Sequence, residues 1–310
     1  MKSSITVIGS SNVDMIMKLE RLPEVGETVT EGEFLQTYGG KGANQAIAAS
    51  RSGAEVSFIT SIGNDMFGQA LLQNFRKDNI NTDNVLFQAG IPTGTALILI
   101  DKQGRNCISV APGANYFLDP EDIKKCSQVI EESGLLIMQM ELKSASVEMA
   151  LKIADRSHTH VLFNFAPVHS LNPALTARMT YLVVNEKKAA ALSGLPVISI
   201  EDAKIAAEKL HALGPRNVII TLGERGLYLE SPTIHKYYPA YHVDAVDTTA
   251  AGDAFCGSLG AALIEGALIE EAVSFAQASA ALCATRIGAQ PSLPYRTEIL
   301  AFQQQKRHLC

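Results

Sequence analysis

Short, predominantly apolar runs alternate with longer amphipathic stretches along most of the chain. Residues 5–8, 56–62, 135–140, 161–165, 181–184 and 218–222 are rich in Val, Ile, Leu and Phe, with little polar alternation. That pattern predicts strands buried on both faces. Between them, apolar positions recur at helical spacing over 43–52, 68–77, 120–132, 146–156 and 202–213. In the last stretch Ala203, Ala206, Leu210 and Leu213 share one face, while Lys204, Glu208 and Lys209 turn away. Strand–helix alternation of this kind predicts an α/β fold, with a mainly parallel sheet covered by helices on both sides.

Two regions break the rhythm. Residues 15–40 read as two short strands around Pro23-Glu24-Val25-Gly26, and 93–101 with 106–111 read as a hairpin around Lys102-Gln103-Gly104-Arg105. The first has mixed polarity, and these four strands do not easily join the central sheet, so they are assigned to a small β-sheet lid. There are no internal repeats, low-complexity tracts or long linkers, so 1–310 reads as one domain.

Composition narrows the function classes. A chain of 310 residues with 47% hydrophobic content can bury a large core. Its formal net charge of −6, with no Lys/Arg run, argues against a general nucleic-acid or acidic-membrane surface. The apolar stretch 5–8 is too short for a signal peptide, and no run approaches a membrane span. The expectation is a soluble cytoplasmic protein. Five cysteines (Cys107, Cys126, Cys256, Cys283, Cys310) lack CxxC spacing and read as thiols of a reducing compartment. His158 and His160 read as a turn before a strand rather than as metal ligands.

The most informative stretch is Asp247-Thr248-Thr249-Ala250-Ala251-Gly252-Asp253-Ala254-Phe255. Its small residues lead into a helix expected to begin at about Gly252. The first amides of that helix have no internal partner and, with the helix dipole behind them, form an anion site. Asp253 lies in the same turn. One segment therefore offers an oxyanion cradle (Ala250, Ala251, Gly252) and a carboxylate base, the two parts that phosphoryl transfer to a hydroxyl requires.

A second motif is Gly39-Gly40-Lys41-Gly42-Ala43-Asn44-Gln45-Ala46. Its glycines allow close backbone approach, Lys41 can meet a hydroxyl or phosphate, and Asn44 can donate and accept. It lacks the GxxxxGK[ST] spacing of a P-loop. Asn12 and Asp14 follow the first strand, where open α/β sheets bind ligands, although alone they also read as a polar loop. Glu141 closes the run 135–140. Asn185 ends another run, and Thr221-Leu222-Gly223-Glu224-Arg225-Gly226 could bring phosphates to the backbone or simply turn between strands.

Together the two motifs resemble the signatures of the ribokinase-like (PfkB) carbohydrate kinases, and the resemblance extends over essentially the whole chain. It implies a three-layer αβα fold with a lid that often doubles as a dimer interface. It also implies ATP-dependent transfer to the primary hydroxyl of a sugar. The sugar would lie among Asn12, Asp14, Gly40, Lys41, Gly42, Asn44, Glu141 and Asp253. ATP would lie among Asn185, Thr221, Gly223, Glu224, Gly226, Gly252 and Gln277, with Mg²⁺ held by its phosphates and water. A potassium ion is implied at Asp247, Thr249, Cys283, Arg286, Gly288 and Ser292, mostly through backbone oxygens. The motif wording is nearest the ribokinase form, which points to D-ribose, with 2-deoxyribose, another pentose or a hexose as alternatives.

One departure stands out. The family's Asn-x-x-Glu, whose Glu helps organise hydrated Mg²⁺, reads here Asn185-Glu186-Lys187-Lys188. Glu186 is a poor substitute, projecting about 100° from Asn185 on a helix start. Lys188 leaves three expectations: a direct phosphate contact, weakened Mg²⁺ binding, or a solvent-facing side chain. It also keeps open a sugar-binding relative with little kinase activity.

Overall fold

The apolar runs become the strands of one large sheet, and the two irregular regions form another. The computed structural model describes residues 3–167 and 173–307, so Cys310 lies outside the described residues. In chain order the strands are β1 (Ser4–Ile8), β2 (Asn12–Leu19), β3 (Glu33–Gly39), β4 (Glu55–Gly63), β5 (Val85–Gln88), β6 (Gly94–Asp101) and β7 (Asn106–Ala111). There follow β8 (Leu135–Met138), β9 (His160–Asn164), β10 (Tyr181–Asn185), β11 (Asn217–Thr221), β12 (Leu227–Glu230) and β13 (His235–Tyr238). Nine of them make a sheet ordered β13-β12-β11-β10-β9-β8-β1-β4-β5. It is parallel from β11 through β5, and antiparallel only at β11–β12 and β12–β13.

The α-helices are α1 (Lys41–Arg51), α2 (Met66–Lys77), α3 (Pro120–Lys125), α4 (Ser127–Glu132), α5 (Ser144–Ser157), α6 (Glu186–Ser193), α7 (Ile200–His211), α8 (Ala251–Ile264), α9 (Ile269–Ala284) and α10 (Arg296–Arg307). Strand periodicity sorts them into two layers. Ile5, Val7, Leu135 and Ile137 pack with α1, α2, α8, α9 and α10, whereas Ile8, Leu136 and Met138 pack with α3, α4, α5, α6 and α7. This is the expected three-layer αβα arrangement.

The second sheet runs β3-β2-β6-β7, with β2 and β6 parallel and both outer pairs antiparallel. It matches the expected lid with one change: β2 begins at Asn12 rather than Met15. Asn12 and Asp14 therefore sit in a lid strand instead of a loop. Two helix expectations also shift. The stretch 120–132 breaks at Cys126, whose backbone (φ −90°, ψ 10°) leaves the helical region between α3 and α4. Leu213 lies beyond the end of α7 and is 45% exposed rather than part of its apolar face.

Candidate active site

The glycines of the first motif set the position of α1. Gly40 has φ +88°, and a Cβ there would come within 2.8 Å of Ser10 O. Only glycine accepts that conformation and that contact together. The helix then packs its small residues closely: a Cβ on Gly42 would lie 2.5 Å from the Gly9 carbonyl carbon, and Ala43 N donates to Ser10 O at 2.9 Å. The turn after β1 is thereby fixed against the start of α1.

Four charged side chains converge there. Lys41 Nζ lies 3.0 Å from Glu141 Oε1, and Lys41 N donates to Glu141 Oε2 at 3.0 Å. Ser10 Oγ also donates to Glu141 Oε2. Asn44 Nδ2 donates to Asp253 Oδ2 at 3.0 Å, and Gln45 Nε2 donates to Asp253 Oδ1 at 2.8 Å. Asp14 folds over Gly39, leaving 2.1 Å between its Oδ2 and the place a Cβ would occupy. Asn12 Oδ1 accepts from Asn115 Nδ2 at 2.9 Å, so the Asn12 amide turns its own N–H groups the other way.

The carboxylates are unlike one another because their surroundings differ. Burial, reinforced by the Glu141 charge and only partly opposed by Lys41, pushes Asp14 up to about 7. Burial also raises Asp253, against the pull of Lys41, Asn44 and Gln45. Glu141 is also penalised by burial, yet the Lys41 charge, the Ser10 O–H and the Lys41 backbone N–H hold it below the usual carboxylate range. Burial alone would lower Lys41, but Glu141, Asp253 and Asp14 hold it well above the ordinary lysine value. Lys41 is thus the shared counter-ion of three acids.

Asp253 is delivered by α8. Ala250 precedes that helix in the left-handed region (φ 60°, ψ 4°), a strained conformation for a residue with a Cβ. The turn aims successive amides into one concavity. The expected cradle changes in one member: Ala251 N donates to Thr248 O at 3.2 Å. Among the described residues no acceptor meets the amides of Ala250, Gly252 and Asp253, and a Cβ on Gly252 would meet only open space.

Beside this helix start lies a cavity of about 310 Å³. Thr221, Gly223, Glu224, Gly226, Gly252 and Gln277 all line it, so the candidate nucleotide residues meet in one place apart from Asn185. Gly223 and Gly226 have φ of +58° and +108°, and a Cβ on Gly226 would lie 2.1 Å from Tyr238 O. The segment is therefore both readings at once, a tight strand-to-strand turn and a wall of the cavity. Asn185 instead caps α6, accepting from Lys188 N at 3.0 Å.

Lys188 is half-buried on α6. Burial and the Lys41 charge lower its ammonium, while Cys256, Asp253 and Glu141 act in the opposite sense. Glu186 is paired with Arg225, which removes it as a replacement for the absent carboxylate.

The last set of candidates is also assembled. Asp247 accepts from Thr249 N through Oδ1 and from Gly288 N through Oδ2, both at 2.9 Å, joining two loops. Ser292 Oγ lies 3.0 Å from Cys283 Sγ, which in turn donates to Thr249 O. Arg286 N donates to the Cys283 carbonyl at 3.1 Å, and its side chain pairs with Glu298.

Sequence reasoning missed Ser10, Gln45, Asn115 and Gln139. Gln45 stood inside the quoted motif, one helical turn after Lys41, and that spacing was the available signal. Asn115 and Gln139 carried none, because they reach the site only through tertiary contacts.

Comparison with known proteins agrees with this geometry. A family profile described as pfkB family carbohydrate kinase matches residues 2–296. The chain is 37% identical to the ribokinase of Haemophilus influenzae, over 97% of this chain and 99% of that one. It is 34% identical to the deoxyribokinase of Salmonella typhi, over 94% and 95%. The structure of Arabidopsis thaliana ribokinase complexed with ribose and ATP superposes with a TM-score of 0.90 at 29% identity, covering 97% of this chain and 99% of that one. The chain belongs to the pfkB family of carbohydrate kinases.

Proposed function

We propose that the protein is an ATP-dependent pentose kinase that transfers the γ-phosphate to the primary hydroxyl of D-ribose. The observation that carries this reading is the placement of Asp253 between two halves of one site. On one side lie Asn12, Asp14, Lys41, Asn44 and Glu141; on the other, the start of α8 opens to the cavity lined by Thr221, Gly223 and Gln277. A sugar hydroxyl and a nucleotide phosphate would meet at the α8 amides. Asn44 Oδ1 adds support, since it is buried without a hydrogen-bond partner among the described residues. An unmet buried acceptor is costly, and a sugar hydroxyl would satisfy it.

In this reading Asp253 accepts the proton of the primary hydroxyl, and the oxygen attacks the γ-phosphorus in line. The amides of Ala250, Gly252 and Asp253 receive charge on the transferring group; loss of one such donor typically costs about 3–4 kcal/mol. Asp14 and Asn12 orient the sugar, and Lys41 holds Glu141 and Asp253 in place. Among the described residues no cluster of His, Cys, Asp and Glu suits a metal ion. Mg²⁺ would be held chiefly by the ATP phosphates and water, where it would neutralise developing charge. The joined loops around Asp247, Thr249, Gly288 and Ser292 suit a hard monovalent cation, as expected for potassium.

The lid has a second role in this proposal. Phe34, Leu97, Ile108 and Val110 are exposed on it. Such apolar surface suits a homodimer joined through the lids. No helix among the described residues is long and apolar enough to cross a membrane, and a cytoplasmic location is part of this reading. Steady-state ADP release across ribose, 2-deoxyribose, other pentoses and hexoses tests the assignment. The highest kcat/KM is expected with ribose, whereas a higher value with 2-deoxyribose would reassign the acceptor.

A further inference from the structure

Behind the reacting centre runs a buried line of three side chains. Gln139 Nε2 donates to Gln45 Oε1 at 2.7 Å, and Gln45 Nε2 donates to Asp253 Oδ1 at 2.8 Å. Gln45 and Gln139 are 0% and 1% exposed, so neither amide is open to a substrate. The polarity of the line is dictated by its end. An ionised carboxylate only accepts, so Gln45 must present its N–H group to Asp253, and its carbonyl must then face a donor on Gln139.

The geometry comes from two periodicities. Gln45 lies one turn after Lys41 on α1, and Gln139 lies two residues before Glu141 after β8. The same helix face and the same segment are thus tied twice, Lys41 to Glu141 and Gln45 to Gln139. Gln139 has little freedom, because its Oε1 lies 2.1 Å from where a Cβ on Gly9 would stand.

The line is an expensive way to fill a core. Gln139 Oε1 is buried with no partner among the described residues. Replacing both amides with apolar groups of similar shape would remove that cost. Packing therefore does not account for the pair, whereas its end on Asp253 does.

We propose that Gln45 and Gln139 are positioning residues for phosphoryl transfer, fixing the Asp253 carboxylate so that a free lone pair faces the acceptor hydroxyl. Asn44 occupies Oδ2 from the sugar side, and Gln45 occupies Oδ1 from behind. With both oxygens tied, the carboxylate plane cannot rotate. The inference rests on Asp253 being the base. The charged and titratable groups around Asp253 are Lys41 on α1, Glu141 after β8, Lys188 on α6, Cys256 on α8 and Cys283 on α9. None of them replaces the Gln45 donor, so its loss destabilises the ionised form of Asp253.

The test compares Gln45→Leu, Gln139→Leu and the double variant with Asp253→Asn, using kcat, KM and full pH profiles. For Gln45→Leu we expect kcat to fall about 10- to 100-fold, the range for losing a hydrogen bond to a charged group. Its acid limb should move to higher pH, and KM for ribose should stay within about twofold. Gln139→Leu should move kcat and the acid limb in the same direction by less, and the double variant should be no worse than Gln45→Leu alone. If Gln45→Leu does not fold, Gln139→Leu carries the test by the same readouts. Wild-type kcat and pH profile in the folded variants, with Asp253→Asn inactive, would overturn the positioning role and leave the base intact. An active Asp253→Asn would overturn both.

Discussion

Asn44 Nδ2 donates to Asp253 Oδ2 at 3.0 Å across a sequence separation of 209, joining the first motif to the last. Asn44 thus touches the base with one end of its amide and leaves the other, Oδ1, for a ligand. Asn44→Leu should therefore weaken both functions. We expect KM for ribose to rise and kcat to fall, each about tenfold or more, as for loss of hydrogen bonds to charged or buried partners. Gln45→Leu, by contrast, should change kcat alone, and parallel initial-rate measurements separate the two patterns.

Asp14 gives a pH signature. The folded protein keeps a proton on this carboxyl up to about 7, whereas the unfolded chain releases it near 3.8. Stability from this group is full below the unfolded value and is lost as pH rises toward 7. The loss is at most about 4 kcal/mol. Asp14→Asn should flatten the decline in Tm across that window. Sugar binding should run the other way, because only the ionised carboxylate accepts from two hydroxyls. KM for ribose should fall as pH rises through 7 in the wild type and stay level in Asp14→Asn.

Lys188, half-buried on α6, stands where the family resemblance implies a carboxylate. Lys188→Glu should lower the Mg²⁺ concentration giving half-maximal rate, since a carboxylate there organises hydrated metal. If its ammonium meets a phosphate, the same change should raise KM for ATP. Rates titrated against Mg²⁺ and ATP decide this, and unchanged values of both would place Lys188 outside phosphate binding.

Asp247 joins the loops that carry Thr249 and Gly288. Turnover should be several-fold faster in potassium than in sodium at equal ionic strength, as the smaller ion fits a carbonyl-lined site less well. Asp247→Asn should shrink that ratio toward one. Equal rates in both salts for the wild type would remove the cation site from the account.

Much of this arrangement is legible in the amino-acid sequence. The runs at 5–8 and 218–222 announced buried strands because β-branched residues without polar alternation suit little else. The glycines at 39 and 40 announce backbone approach. What stayed hidden was set by tertiary contact. Cys126 breaks a continuous helical pattern, and Asn12 pairs into the lid because Gly39 and Gly94 lie beside it in register. Gln139 sits in an apolar run where a single amide gives no sign that it faces Gln45. The engagement of the Ala251 amide by Thr248 was likewise invisible, since it depends on the left-handed turn at Ala250.

The most direct test of the central claim is ribose-dependent ADP release by Asp253→Asn beside the wild type, with Tm recorded for both. The account predicts retained folding and a loss of about 10²- to 10⁴-fold in kcat, the contribution of a general base. A folded Asp253→Asn that turns over at the wild-type rate would contradict it.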